Sequence, residues 1–139
     1  MHILLATDAQ WVLDEVLAAL GSPDTSFTVV RNGRDVPEAI ATRTPDIAVL
    51  DLQIGTMGAM AVTMNLRLDH SDHRIPYVPV LMLLDREADV HLAKRSGADG
   101  WLVKPLDALR LQLAARSIVQ KAPTMEAWTE SASHYINFL

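Results

Sequence analysis

The sequence predicts an α/β fold in which a parallel sheet of five strands is covered by helices on both faces. Five short apolar runs alternate with longer segments of helical periodicity along the 139 residues, which is the pattern of successive βα units. Because the runs are continuously apolar rather than alternating, they are typical of parallel strands buried on both faces. The length and the 50% apolar content predict one domain with one good core.

The first βα unit has the clearest pattern. The run ILLAT at 3–7 is a predicted strand, and 11–20 is a predicted helix. The helix places four apolar residues on one face at three- and four-residue intervals, namely Val12, Val16, Leu17 and Leu20. Gly21 follows where a glycine ends a helix.

The second and third units repeat this alternation. The strand FTVVR at 27–31 precedes a helical segment at 36–43. The strand IAVLD at 47–51 precedes the glycine-containing loop QIGTMG and a helical segment at 59–68.

The last two units complete the predicted sheet. Strand 78–84 is followed by a helix over 88–97, and strand 101–103 by a helix over 106–119. In the last helix, apolar residues recur at helical spacing, at Leu106, Leu109, Leu113 and Val119.

Composition excludes several functional classes. The net charge of −5 disfavours nucleic acid as a partner. The absence of cysteine excludes disulfides, thiolate chemistry and zinc–thiolate sites. The N-terminus lacks the pattern of a secretory signal, and no apolar run approaches the ~18–20 residues of a membrane span. We therefore expect a soluble cytoplasmic protein without direct membrane insertion.

Four charged residues follow the predicted strands and are expected to meet at one rim. In a parallel sheet the carboxyl ends of the strands share an edge, where ligands bind. This rule places Asp8, Asp51, Asp85 and Lys104 together. An acid at such a position serves as a phosphate acceptor, a metal ligand or half of a structural salt bridge.

These residues, with the loop QIGTMG, the segment SGADGW and the VKP of 103–105, resemble the receiver domain of two-component response regulators. The residues of these segments are most similar to those of atypical, stand-alone actinobacterial receivers. The resemblance implies a flavodoxin-like fold with strand order 2-1-3-4-5. It makes 1–121 the receiver domain and 122–139 a C-terminal extension.

The resemblance also implies a role for each rim residue. Asp51 aligns with the aspartate that accepts a phosphoryl group from a histidine kinase. Asp8, Asp51 and the backbone carbonyl of Gln53 align with Mg²⁺ ligands, and Mg²⁺ accepts one or two carboxylates plus water. Lys104 aligns with the lysine that pairs with the acceptor, and Pro105 with a cis proline. A dehalogenase-type phosphatase would need an acid where Gln53 stands, so we expect a regulator and not an enzyme.

Three residues depart from the family pattern. Thr7 replaces an acid, which removes a charge and predicts weak Mg²⁺ binding. Leu84 replaces the hydroxyl residue that captures the phosphate, and Asp85 follows it. A carboxylate about 4 Å from a phosphoryl group opposes it by about 4 kcal/mol at an effective dielectric of about 20. The sequence therefore predicts a pseudo-receiver with weak or absent phosphorylation at Asp51.

Several alternatives remain open at the level of sequence. Asp51 and Lys104 form either a structural ion pair or a working phosphoacceptor site, and Asp8 is either a weak Mg²⁺ ligand or an acid favoured by the dipole of the first helix. Asp85 is either a solvated loop acid or helix cap, or a pocket residue. Two other functions also remain: a functional phosphorelay receiver, and a regulator that binds a small molecule.

A protein partner is expected because 122–139 is too short for a DNA-binding output domain. One candidate surface contains Trp101 with Lys94 and Arg95, and the other is the amphipathic extension with Trp128, Tyr135 and Phe138. The extension either docks on a partner or folds back on its own domain. Resemblance suggests a histidine kinase or respiratory complex I as the partner, the latter at the membrane periphery.

Overall fold

The computed structural model describes residues 1–123, which form one parallel sheet with helices on both sides. The strand order is β2-β1-β3-β4-β5, which confirms the predicted flavodoxin-like architecture. The strands are β1 His2–Ala6, β2 Ser26–Val30, β3 Ile47–Asp51, β4 Val80–Leu84 and β5 Gly100–Val103. Each neighbouring pair is parallel, so all five carboxyl ends lie at one edge.

Five α-helices connect and follow the strands. They are α1 Gln10–Leu20, α2 Val36–Thr42, α3 Ala59–Ser71, α4 Val90–Ser96 and α5 Ala108–Lys121. Short 3₁₀ turns at Gly33–Asp35 and Glu87–Asp89 lead into α2 and α4. No helix within residues 1–123 has both the length and the apolarity to cross a membrane.

The element ends have local causes. Helix α5 begins two residues later than the periodicity predicts, because the Asp107 carboxylate accepts hydrogen bonds from the backbone N–H groups of Leu109 and Arg110 and so caps the helix. Gly21 ends α1 in extended conformation, and a Cβ there would lie 2.5 Å from the Leu17 carbonyl oxygen. Gly97 ends α4 with a φ of 95°, which favours glycine.

The sheet separates two apolar clusters, because successive side chains of a strand point to opposite faces. One cluster joins the sheet to α1 and α5, and contains Leu5, Val49 and Leu83. The other joins it to α2, α3 and α4, and contains Ala6, Leu50 and Leu84. Residues just beyond the strand ends continue this alternation, which decides which of them can meet.

Candidate functional site

Asp51 is the last residue of β3 and is 1% exposed. Its Oδ1 accepts a hydrogen bond from Lys104 Nζ at 2.6 Å, and its Oδ2 accepts one from the Thr7 hydroxyl at 2.8 Å. Both oxygens of this buried carboxylate therefore have a donor, and its charge is balanced by the ammonium.

The sheet register explains why these residues meet. Ala6 pairs with Leu50 and Leu84 pairs with Val103. Thr7 and Asp51 are the next residues along β1 and β3 and therefore lie side by side. Asp85 and Lys104, the next residues after β4 and β5, likewise lie side by side, further towards the edge of the sheet. By the alternation of the strands, all four side chains lie on the face that carries α1 and α5.

Lys104 contacts a second carboxylate. Its Nζ donates to Asp85 Oδ1 at 2.9 Å, and it lies 5.6 Å from the centroid of the Trp11 ring, within the range of a cation–π contact. Burial alone lowers the pKa of Lys104, but the hydrogen bonds and charges of Asp51 and Asp85 outweigh burial and raise it. The lysine therefore stays protonated between two carboxylates.

Thr7 is a fixed part of this cluster. It is 1% exposed, and its backbone N–H donates to the Val30 carbonyl at 3.1 Å. Its hydroxyl also accepts the Ala9 N–H at 3.1 Å while donating to Asp51. Because the hydroxyl is held by the Ala9 N–H and gives its one proton to Asp51, Thr7 helps to orient the Asp51 carboxylate.

Asp8 lies at the solvent side of the site and is exposed. Its Oδ2 is 3.5 Å from the point where a Cβ on Gly55 would stand, an ordinary contact distance, so the loop after β3 passes beside this carboxylate. The N-cap residue of α1 is Ala9, whose side chain makes no capping hydrogen bond.

The residues fit Mg²⁺ in part. Asp8 and Asp51 supply hard carboxylate oxygens, and exposed Gln53 lies in the loop after β3. Within residues 1–123, however, no three His, Cys, Asp or Glu side chains are grouped to hold a metal. Each Asp51 oxygen already accepts one hydrogen bond, so each has its remaining lone pair to offer a metal.

The loop after Asp51 is bound to the loop after β2. Gly33 N–H donates to the Gly55 carbonyl at 3.0 Å, and the Thr56 hydroxyl donates to the Asn32 side chain. A Cβ on Gly33 would lie 2.0 Å from the Met57 carbonyl oxygen, so the two loops touch at a glycine. The sequence analysis did not predict this contact. The pair Asn32-Gly33, directly after a predicted strand, was the feature that could have indicated it.

The other predicted residues belong to the apolar core, to a cis peptide bond and to the region of α4 and β5. Leu84 is 0% exposed and belongs to the apolar cluster against which Trp101 packs. The Lys104–Pro105 peptide bond is cis. Lys94 Nζ lies 5.4 Å from the centroid of the Trp101 ring, and Arg95 is exposed on the same helix.

One contact of the site was not predicted, and three predicted residues lie beyond residues 1–123. Trp11 is a contact of Lys104 that the sequence did not single out. The predicted docking residues of the extension, Trp128, Tyr135 and Phe138, lie outside the described residues.

Comparison with known families gives one match over most of the chain. Residues 3–116 match the model of the response regulator receiver domain.

The curated relatives are longer proteins. The chain is 34% identical over 101 residues to the DNA-binding transcriptional regulator NtrC of Escherichia coli K12, covering 70% of this chain and 20% of NtrC. It is 30% identical over 103 residues to the regulatory protein LuxO of Vibrio cholerae, covering 74% of this chain and 22% of LuxO. The chain therefore spans about a fifth of the length of these relatives.

Solved structures share the fold. The BeF3-activated N-terminal receiver domain of Klebsiella pneumoniae RstA superposes with a TM-score of 0.75 at 24% identity, covering 87% of this chain and 100% of that one. The receiver domain of Brucella abortus NtrX gives a TM-score of 0.73 at 23% identity, covering 86% and 99%.

Proposed function

Because this chain belongs to the response regulator receiver domain family, we propose that it is an atypical receiver that acts by protein–protein contact, with weak or absent phosphorylation at Asp51. The observation that carries this proposal is the hydrogen bonding of both oxygens of the Asp51 carboxylate. One oxygen accepts from Lys104 and the other from Thr7, so hydrogen bonding draws charge from both oxygens and weakens each as a nucleophile.

The electrostatics of the cluster support the same proposal. Phosphoryl transfer depends mainly on positioning and on stabilisation of charge, and the arriving group carries roughly −1.5 to −2 charges. Lys104 is the cation within reach of Asp51, but it is shared with Asp85. Leu84 is buried in the core and brings no hydroxyl to the site. The pocket therefore has less capacity to stabilise a phosphoryl group than the family pattern implies.

Mg²⁺ enters this proposal as a weakly held ion. Asp8, Asp51 and the carbonyl of Gln53 would hold it, and when bound it would neutralise charge on a transferring phosphoryl group. Thr7 adds a hydroxyl where a second acid would add charge, so we expect weak affinity.

The candidate contact surface is formed by Trp101, Lys94 and Arg95. Trp101 is half-buried at the edge strand β5, with the Lys94 ammonium over its ring. An aromatic side chain beside a cation is a common interface anchor. The proposed second element is the extension 122–139. By resemblance, the partner is a histidine kinase or a multisubunit assembly such as respiratory complex I.

A working phosphorelay receiver is the second candidate. It is favoured by the 2.6 Å contact between Lys104 Nζ and Asp51 Oδ1, since an acceptor and its lysine must be adjacent for the chemistry.

Phosphorylation of the intact chain separates the two candidates. The protein is incubated with acetyl phosphate and Mg²⁺ at millimolar concentration, and the product is measured by intact-protein mass spectrometry. Asp51→Asn is the negative control, and Asp46→Asn tests for a non-specific effect of removing an acid. We expect little labelling of the wild type. Stoichiometric labelling that Asp51→Asn abolishes would establish the working receiver.

The contact surfaces are tested by pull-down of partners with three proteins: the wild type, Trp101→Ala and a chain that ends at 123. We expect each change to reduce capture. If both variants retain full capture, the proposed surfaces are wrong.

A further inference from the structure

We infer that Asp85 competes with incoming anions for the charge of Lys104. Asp85 thereby excludes phosphate-like anions from the pocket and determines what this site accepts. The inference deepens the proposed function and rests on it. Asp85 acts through Lys104, to which its carboxylate is paired at 2.9 Å, and is therefore a positioning and specificity-determining residue.

The backbone fixes the competitor in place. Lys104 N–H donates to the Leu84 carbonyl at 2.8 Å, which ties the end of β4 to the end of β5. Leu84 also pairs with Val103, so Asp85 and Lys104 leave their strands side by side. The 2.9 Å ion pair between their side chains follows from this register and does not depend on a flexible loop.

Asp85 lies on the solvent side of the lysine. Asp51 is level with Leu83, so Asp85 is two residues further out, about 6–7 Å at the usual rise of a strand. The exposed fraction of the side chains follows the same order: 2% for Asp51, 14% for Lys104 and 32% for Asp85. An anion approaching Lys104 from solvent therefore meets a carboxylate first.

The charges make this arrangement unfavourable to a second anion. Lys104 provides one positive charge against the two carboxylates that it contacts, so the group of three is already anionic. Within residues 1–123, Lys104 is the cation that forms a salt bridge with Asp85. The nearby guanidinium of Arg86 is paired with Asp89, at 3.2 Å.

Removal of the Asp85 charge should open the pocket. In Asp85→Asn the shape is retained and Lys104 is left with Asp51 as its ionic partner. An Asp51 oxygen can then attack the phosphorus of acetyl phosphate. A new O–P bond forms as the bond to the acetyl oxygen breaks, and acetate leaves with the electron pair.

The experiment compares the wild-type chain of residues 1–139 with Asp85→Asn, Asp85→Ser and Glu87→Gln, each checked for folding by circular dichroism. Glu87→Gln is the matched control because this exposed acid lies two residues along the same segment. We measure the rate of labelling by acetyl phosphate and the acetyl phosphate concentration that gives half the maximal rate. Binding of beryllofluoride in the presence of Mg²⁺ is measured as well. We expect both Asp85 variants to label about tenfold faster, at lower half-saturation, because the carboxylate that opposes the incoming phosphoryl group is removed.

The outcomes distinguish this inference from the proposed function. Fast labelling of the wild type defeats the proposed function, whereas equal rates for wild type and the folded Asp85 variants defeat the role of Asp85. The role of Asp85 is also overturned if Glu87→Gln raises the labelling rate as much as the Asp85 variants do. The same holds if the faster labelling of Asp85→Asn persists when Asp51→Asn is added. An altered half-saturation concentration is a readout that a purely structural acid would not move.

Discussion

The ammonium of Lys104 lies 2.6 Å from the buried carboxylate of Asp51, which joins the end of β5 to the end of β3 across the intervening strand β4. Asp85, after β4, contacts the same ammonium. One cation thus connects three neighbouring strand ends.

Loss of this cation should destabilise the fold. Lys104→Met is expected to lower the free energy of unfolding by about 3 kcal/mol, because it leaves a buried carboxylate without its counter-charge. Urea unfolding measures the change, and Lys121→Met at the exposed end of α5 is the control. A loss no larger than that of the control would mean that the pair contributes no stability.

The same pair predicts a pH dependence. The folded-state pKa of Lys104 is raised above the ordinary 10.5, so the folded protein holds this proton more tightly than the unfolded chain. The resulting stabilisation is complete below about pH 10.5 and is lost as the pH rises through the folded-state value. The stability difference between wild type and Lys104→Met should therefore shrink above pH 10.5, as followed by urea unfolding at several pH values. A difference that stays constant would contradict the pKa shift.

The phenol of Tyr77 should lose its proton only at unusually high pH. Burial and the hydrogen bond that its hydroxyl donates to Asp99 raise the pKa of Tyr77 to about 12, although the nearby Arg67 opposes this. Subtracting the ultraviolet titration of Tyr77→Phe from that of the wild type isolates this phenol. We expect its midpoint near pH 12; a midpoint at the ordinary 10.0 would mean that the phenol is neither buried nor bonded to Asp99 in solution. Because the unfolded chain loses the proton first, stability falls between pH 10 and 12.

Gly33→Ala should disrupt the contact between the two loops. Its new methyl would lie 2.0 Å from the Met57 carbonyl oxygen, whereas in Gly58→Ala the nearest atom would be 3.9 Å away. We expect Gly33→Ala to cost about 1–3 kcal/mol of unfolding free energy, since backbone must move, and to increase hydrogen exchange at Met57. Gly58→Ala serves as the matched control, and equal losses for the two variants would argue against a tight contact.

Thr7→Asp should make stability depend on Mg²⁺. A third carboxylate beside Asp8 and Asp51 raises the charge of the donor set, so Mg²⁺ binds more tightly and stabilises the folded state by mass action. The measurement is the melting temperature across a Mg²⁺ titration, with Thr7→Val as the control that also removes the hydroxyl. If Thr7→Asp responds to Mg²⁺ no more than Thr7→Val, then the missing acid is not what weakens binding.

The rule for parallel strands was enough to predict that Asp51, Asp85 and Lys104 share an edge, because it depends on strand direction alone. Whether Asp85 faces Lys104 or solvent depends on where β4 ends, and a shift of one residue reverses the face. Loop contacts such as Gly33 with Met57 join segments distant in sequence, and no periodicity encodes them. Trp11 was missed for the same reason, since its helical position did not reveal the lysine from β5.

Trp11 also gives the molecule a native optical probe. Its indole is 51% exposed and lies 5.6 Å from the ammonium of Lys104. Emission from an indole responds to a nearby charge. The other two tryptophans, Trp101 and Trp128, can be replaced by phenylalanine. The emission wavelength and intensity of Trp11 would then report the charge of the pocket without any attached dye.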